Sequence, residues 1–178
     1  MVGFEKIRNI FKIKELRERI LFTLGILVVY RIGGHIPTPG IDAAALQSFF
    51  SQQAGTLFGM FDMFVGGAFQ RATVFSLGIM PYITASIIIQ LLTPIFPYFQ
   101  RLSREGEEGR RKITQYTRYG TVAIALIQSF GVSVWLKSVQ MEPGVSVVTV
   151  SGLGFHFLTM ITFTCGTIFI MWLGEQIT

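Results

Sequence analysis

The sequence carries little charge for its length. Charged residues make up 14% of the 178 residues, whereas hydrophobic residues make up 51%, and the mean hydropathy is +0.55. A soluble globular domain carries about a quarter charged residues. So few charges could not cover the surface of this chain in water, and we infer that lipid is part of its solvent.

Cysteine, asparagine and histidine are also scarce. The single cysteine, Cys165, excludes an intramolecular disulfide, so cysteine usage does not identify the redox compartment. The single asparagine, Asn9, is not followed by the glycosylation pattern. The two histidines, His35 and His156, lie far apart and have no acidic neighbour at ligand spacing. We therefore expect no metal site.

Motifs for nucleotide binding and catalysis are missing as well. Gly152, Gly154 and the following Phe-His-Phe do not complete a dinucleotide fingerprint, and the sequence contains no phosphate-binding loop. The acidic residues fall in loops and at the ends of apolar stretches, which disfavours an intramembrane aspartyl dyad. No nucleophile has a base at helical spacing. The expectation is a protein that is not an enzyme and binds no cofactor.

The basic residues are concentrated in two short segments. Of the 15 Lys and Arg, six lie in the first 19 residues and six more lie between residues 101 and 118. Basic clusters can indicate nucleic-acid binding, but both clusters here flank long uncharged stretches, as the positive-inside rule expects of cytoplasmic segments. The second cluster is predicted to be a cytoplasmic basic loop that includes Arg104, Arg110, Arg111 and Lys112.

Four apolar stretches predict an all-α membrane protein with four spanning helices, at residues 20–36, 74–93, 119–137 and 153–174. The first contains Arg31. Inserting an arginine at the centre of a membrane helix costs about 2.5–3.5 kcal/mol, and the insertion free energy of the apolar run before Arg31 offsets this cost. Arg31 is expected either to snorkel outward or to face protein. The second helix is predicted to end near Leu92, because Thr-Pro and Phe-Pro dipeptides follow it.

The segments between these helices are predicted as follows. Residues 1–19 alternate apolar and basic side chains, which suits a cytoplasmic amphipathic helix in the headgroup region or, alternatively, a frayed and solvated terminus. No small-residue cleavage pattern follows the first apolar run, so an uncleaved helix is favoured over a signal peptide. External loops are expected at 37–56 and 138–152, and the basic cytoplasmic loop at 94–118.

Parity constrains the apolar segment that precedes the second helix. If both basic clusters are cytoplasmic, an even number of helices crosses between them, and residues 37–71 face outside. The apolar part, Leu57–Phe69, is too short to cross and is broken by Gly66 and Gly67. It therefore predicts a re-entrant half-helix at residues 57–73 beside a cavity. A helix lying on the outer membrane surface is the alternative.

The second helix carries a distinctive run of β-branched residues. Ile79 and Ile83 are four residues apart and so lie on one helical face. Thr84 and Gln90 interrupt the isoleucines that follow. From the residues alone, ordinary packing explains this pattern.

Three long stretches resemble one family. They are YRIGGHIPTPGID (30–42), FDMFVGGAFQRATVFSLGIMPYITASIIIQLL (61–92) and GEEGRRKITQYTRYGT (106–121). All three are similar to SecY, the central subunit of the bacterial Sec translocase. The resemblance implies a channel of ten helices in the plasma (inner) membrane, with a cytoplasmic N-terminus, that moves unfolded secretory chains across the membrane and releases hydrophobic helices sideways into lipid.

The resemblance also implies roles for individual residues. Matching positions place Ile79 and Ile83 in a pore-constricting ring, and Thr84 and Gln128 at the lateral gate. Residues 57–73 match the plug, which includes Phe61, Phe64, Gly66 and Gly67.

The partners that the resemblance implies are the membrane subunits SecE and SecG, the SecA motor ATPase, the ribosome, signal sequences with their nascent polypeptides, and the lipid bilayer. The family has ten spans and this sequence provides four, so we expect an N-terminal fragment. A transporter half would usually place ionisable residues near the membrane midplane, and an intramembrane enzyme would need a nucleophile with its base. These two classes remain the alternatives to a channel.

Overall fold

The computed structural model describes residues 13–52, 57–142, 145–148 and 152–177. Within these ranges the chain forms seven helices and one strand pair. In chain order they are α1 (Lys14–Gly33), α2 (Ala43–Gln52), α3 (Leu57–Phe64), α4 (Met80–Leu92), α5 (Pro97–Arg104), α6 (Glu107–Ser138), β1 (Gln140–Glu142), β2 (Val145–Ser146) and α7 (Leu153–Ile177).

Helix α1 runs across the predicted boundary between the amphipathic segment (1–19) and the first spanning helix (20–36). It begins at Lys14, inside the expected amphipathic segment, and continues through the first apolar stretch to Gly33. Lys14 and Glu18, like Glu15 and Arg19, are oppositely charged residues four apart, a spacing that stabilises a helix. The part of the amphipathic segment before residue 13 lies outside the described residues.

The second predicted span is helical over only part of its length. Helix α4 begins at Met80, with Pro81 in its first turn, and ends at Leu92, where the following proline dipeptides predict an end. Residues 74–79 form turns instead of helix. Gly78 has a φ of +56°, which a right-handed helix cannot contain. Helix α5 then bends away from α4 by 96°.

Helix α6 extends into the segment expected to be a basic loop. It starts at Glu107, and both Glu107 and Glu108 lie in its first turn, where negative charge favours a helix N-terminus. Gly109 faces the backbone of α5, because a Cβ at Gly109 would overlap the carbonyl oxygen of Leu102. Helices α5 and α6 therefore form a close hairpin that carries the basic residues.

Helices α6 and α7 pack in antiparallel orientation. Arg118 near the start of α6 bonds Glu175 near the end of α7 (Nε to Oε1, 2.7 Å), and Ser133 further along α6 bonds His156 near the start of α7 (Oγ to Nδ1, 2.9 Å). The buried stripe of α6 consists of small side chains, which let two helices approach closely in a membrane. Its members are Thr117, Thr121, Ala125, Ser129 and Ser133.

The segment predicted as the first external loop contains structure of its own. Asp42 starts α2 by accepting the backbone N–H groups of Ala44 and Ala45 on its Oδ1. Helix α2, the end of α6, the residues Val147 and Val148 that follow β2, and the start of α7 share one hydrophobic core. At its centre Phe50 contacts Phe69 edge to face, with ring centroids 5.4 Å apart, and Phe69 stacks on Trp135 at 5.9 Å.

Among the described residues, two helices are long and apolar enough to cross a membrane. These are α6 and α7, and α4 with α5 would count as a third if the bent pair formed one span. Helix α1 does not qualify because its first turns carry several charges, and α4 alone has only 13 residues. The fold is therefore helical and suited to a membrane, while the count of four spans stays a prediction.

Candidate functional site

A buried carboxylate organises the turn that follows α3. Asp62 is 8% exposed, and its Oδ1 accepts the backbone N–H groups of Phe69 at 3.1 Å and Gln70 at 2.9 Å. The Asp62 carbonyl oxygen accepts the N–H of Gly67 at 2.9 Å. A buried charge is unfavourable unless it is hydrogen-bonded in this way. Asp62 was not among the predicted site residues, although a lone carboxylate in an apolar segment indicates that it has a hydrogen-bond partner.

The chain after this turn is fixed to the end of α1 by backbone hydrogen bonds. The N–H of Thr38 donates to the carbonyl of Ala72 at 2.7 Å, and the N–H of Val74 donates to the carbonyl of Ile36 at 3.0 Å. Ala72 is buried and has a φ of +47°, the left-handed region that favours glycine. These bonds hold the second half of the predicted plug segment in one position.

The ring of Phe75 connects α1, the turn segment and α7. It is buried, and it stacks on Tyr30 of α1 and Phe169 of α7 with centroid distances of 5.7 Å and 6.0 Å. Two glycines make this approach possible. A Cβ at Gly33 would overlap the Phe75 ring, and a Cβ at Gly166 would overlap the carbonyl oxygen of Val74. This junction determines where α4 begins.

The two predicted ring residues lie at the start of α4. Ile79 precedes the first helical residue, and the N–H of Ile83 donates to its carbonyl at 3.1 Å, so the two side chains follow each other on one face. Their exposed fractions are 41% and 42%, and Ile87 continues the same face at 50%. Ile79 also lines a cavity of about 200 Å³ with Met171 of α7. An apolar stripe thus remains partly exposed in the described part of the chain.

The predicted plug residues lie on both sides of the α3 C-terminus. Phe61 and Phe64 belong to α3, but their side chains lie outside the described residues. Gly66 and Gly67 end the helix with φ values of +69° and +78°. Helix α3 therefore covers only the first half of the predicted segment 57–73, and its re-entrant position and the contacts of the two phenylalanines stay predictions.

The two predicted gate residues lie on neighbouring helices at different levels. Thr84 is half-buried on α4 and donates its hydroxyl to the carbonyl of Met80 at 3.0 Å. Its neighbour Ala85 meets α6 at Gly120, where an added Cβ would lie 3.6 Å from the Ala85 Cβ. Gln128 follows Gly120 by eight residues, about 12 Å along a helix. The structure does not bring Thr84 and Gln128 into contact.

The predicted basic loop is an exposed, mostly helical surface. Arg104 ends α5, and Lys112 pairs loosely with Glu105 at 3.9 Å. Arg110 and Arg111 lie in the first turns of α6, on the wall of an open groove of about 440 Å³. Its other lining residues are Glu107, Thr114, Gln115 and Arg118, so the groove carries three arginines and one carboxylate.

Comparison with known proteins agrees with the resemblance. The model of the SecY family matches residues 73–178. Protein translocase subunit SecY of Escherichia coli (strain K12) is 53% identical over 165 residues, which cover 92% of this chain and 37% of that protein. SecY of Buchnera aphidicola subsp. Acyrthosiphon kondoi is 52% identical over 165 residues, covering 92% and 46%. SecY of Aquifex aeolicus (strain VF5) is 44% identical over 175 residues, covering 98% and 41%. The chain thus spans less than half the length of these relatives.

Proposed function

The chain belongs to the SecY family of protein translocase subunits, and from that premise we propose that it forms the front part of a protein-conducting channel. In this proposal the complete channel lies in the bacterial inner membrane with its N-terminus in the cytoplasm. It translocates unfolded secretory proteins and inserts membrane proteins through a lateral gate.

The observation that carries the proposal is the exposed isoleucine stripe. Ile79 and Ile83 lie at the start of α4, which the Phe75 junction holds in place, yet 41% and 42% of their surfaces stay exposed in the described chain. Branched apolar side chains in a ring close around a threading polypeptide without hydrogen-bonding to it, and a narrow apolar constriction resists ions by dewetting. We assign the two isoleucines to this constriction, with other helices of the complete channel supplying the rest.

Helix α3 is proposed as the movable plug. From Ala68 to Phe75 the chain is hydrogen-bonded and most of its side chains are buried, so displacement of the plug would be confined to α3 and to the left-handed turn at Gly66 and Gly67. In the idle channel Phe61 and Phe64 would cover the isoleucine constriction from the outside.

The lateral gate would use α4 and α6 as one of its walls. Thr84 and Gln128 are polar residues at two different levels of these helices, which suggests that each contacts a different part of an exiting segment. Partition then decides the route, since a segment that prefers lipid leaves sideways and a polar one continues through the pore.

The energy for transport must come from a partner, because the sequence contains no nucleotide-binding loop. The partners we propose are the SecA motor or a translating ribosome on the cytoplasmic side, and SecE and SecG in the membrane. Arg104, Arg110, Arg111 and Lys112 are exposed on the α5–α6 hairpin and provide a basic surface for the cytoplasmic partners.

The proposal is tested by Ile83→Asn in the complete channel, reconstituted in vesicles. A polar side chain at the constriction should raise the resting ion leak and allow translocation of precursors with defective signal sequences. The matched control is Ile83→Val, which keeps a branched apolar side chain and should stay close to wild type. Phe64→Asn should act in the same direction as Ile83→Asn. Wild-type leak and wild-type signal stringency in both asparagine variants would refute the assignment.

A further inference from the structure

Two arginines that have no role in the channel proposal meet at the outer end of α1. Arg31 in the last turn of α1 and Arg71 in the turn segment line one small cavity, of about 60 Å³, together with His35. Apart from Lys137, they are the only basic residues outside the two cytoplasmic clusters. We propose that this cavity is a binding site for a phosphate group.

His35 links the two arginines. Its Nδ1 lies 2.8 Å from the carbonyl oxygen of Arg31, so Nδ1 carries the proton and donates. Its Nε2 then accepts a hydrogen bond from Nη1 of Arg71 at 3.2 Å. The imidazole therefore holds the Arg71 guanidinium beside the end of α1 without neutralising its charge.

The cavity contains unused donors and no negative charge. A guanidinium has five N–H donors, and Arg71 directs one of its own at His35. No ion pair or hydrogen bond engages the Arg31 guanidinium within the described part of the chain. None of the eight residues that line the cavity is acidic. The remaining donors can bind a planar or tetrahedral oxyanion in bidentate fashion.

The nearby carboxylates are already engaged elsewhere. The only acidic residues in the sequence between residues 20 and 104 are Asp42 and Asp62. Asp42 accepts two N–H groups at the start of α2, and the buried Asp62 accepts two in the turn after α3. No carboxylate therefore neutralises the two guanidinium groups at the cavity, and an anion there would be attracted to both.

The size of the cavity fits one phosphate group. A water molecule needs roughly 10–15 Å³ of such space, so about 60 Å³ accommodates a group with four or five oxygen-sized positions. The group could belong to the headgroup of an anionic lipid or to inorganic phosphate. Both sources present the same oxygens to the two guanidinium groups, and the experiment separates them.

The experiment measures binding to the complete channel, purified in neutral detergent, by isothermal titration calorimetry. One series uses inorganic phosphate and the other uses a short-chain phosphatidylglycerol. Arg31→Gln and Arg71→Gln should each weaken binding at least about tenfold, the equivalent of ~1.4 kcal/mol. Arg71→Lys keeps the positive charge but not the planar guanidinium that binds two oxygens at once, so it should weaken binding less than Arg71→Gln does. The matched control is Lys137→Gln, which removes the other isolated cation, outside the cavity.

Melting temperatures without ligand show whether each variant is folded, and if one glutamine variant is not, the other glutamine variant and Arg71→Lys provide the test. Tighter binding of the lipid, lost in the arginine variants, supports the site and identifies a lipid headgroup. Binding of inorganic phosphate alone, lost in the same variants, supports the site and identifies free phosphate. Equal affinities in wild type and both glutamine variants, or no binding of either ligand by wild type, would overturn the proposal.

Discussion

Replacing Gly166 by alanine should displace the turn segment that positions the isoleucine stripe. The added Cβ would overlap the carbonyl oxygen of Val74, and its next contact would be the Val74 carbonyl carbon at 2.9 Å. A backbone oxygen cannot move aside by changing a rotamer, so either α7 or residues 73–79 must shift. Overpacking of this kind typically destabilises by about 1–3 kcal/mol.

A matched control is available on α6. Gly131 is exposed in the middle of that helix, and a Cβ there would have nothing within 4 Å. Alanine is favoured over glycine in a helix interior by about 0.8–1 kcal/mol, so Gly131→Ala should be neutral or stabilising. Gly166 also lies in a helix interior, so the same gain applies to it, and the two variants should differ by the overpacking cost of about 1–3 kcal/mol in the free energy of unfolding.

The assay is thermal unfolding of the complete channel in detergent, followed by ion leak in vesicles. Gly166→Ala should melt below wild type and leak more, because its shifted turn segment carries Ile79. Gly131→Ala should melt at or above wild type and leak no more. If Gly166→Ala has the same melting temperature and the same ion leak as Gly131→Ala, the Val74 backbone is not packed on α7 as we infer.

Three further predictions concern the turn after α3, the ion pair between α6 and α7, and the topology. Asp62→Ala leaves two backbone N–H groups without their acceptor and should lower stability by about 1–3 kcal/mol, whereas Asp62→Asn keeps an oxygen and should lose less; equal melting temperatures for the two variants would contradict this. Arg118→Ala removes the ion pair with Glu175, in which the Arg118 side chain is 46% exposed and the Glu175 side chain 21%. The loss of stability should be no more than about 1 kcal/mol; a larger loss in a denaturation experiment would show that the pair is shielded from solvent. In a cysteine-free background, a cysteine at Glu107 should react with an impermeant thiol reagent only from the cytoplasm and one at Gln52 only from outside; the reverse pattern would contradict the topology.

Much of the helical framework could be predicted from apolar runs and proline dipeptides. Helix α7 begins at Leu153, where the last predicted span begins, and α4 ends at Leu92, where two X-Pro dipeptides follow. Helix α3 ends just before Gly66 and Gly67, the pair that the sequence marks as a break, while its re-entrant position stays a prediction. These features depend on the composition of single stretches.

Features that depend on contacts between distant residues were not predicted. Charge density suggested a loop before residue 119, but α6 is helical from Glu107 because acidic residues start it and Leu102 packs on Gly109. Residues 74–79 are uncharged and read as helix, yet packing on α7 and the positive φ of Gly78 hold them in turns.

The candidate site shows the same limit. The sequence and the resemblance selected Ile79 and Ile83, which are exposed on one face of α4. They did not select Asp62 or the pair of Arg31 and Arg71, because the acceptor role of the first and the proximity of the other two arise only when the turn segment folds back on α1. Nothing in the linear spacing of 40 residues between the two arginines indicates that they meet.

The central claim is that the start of α4 faces a translocating polypeptide. In the complete channel, Ile83→Cys is combined with a secretory precursor that is arrested midway and carries one cysteine in its arrested stretch. Phe157→Cys on α7, at a side chain that is 64% exposed, provides the control. Oxidation should form a disulfide between position 83 and the precursor and none between position 157 and the precursor. Crosslinking at position 157 without crosslinking at position 83 would contradict the claim.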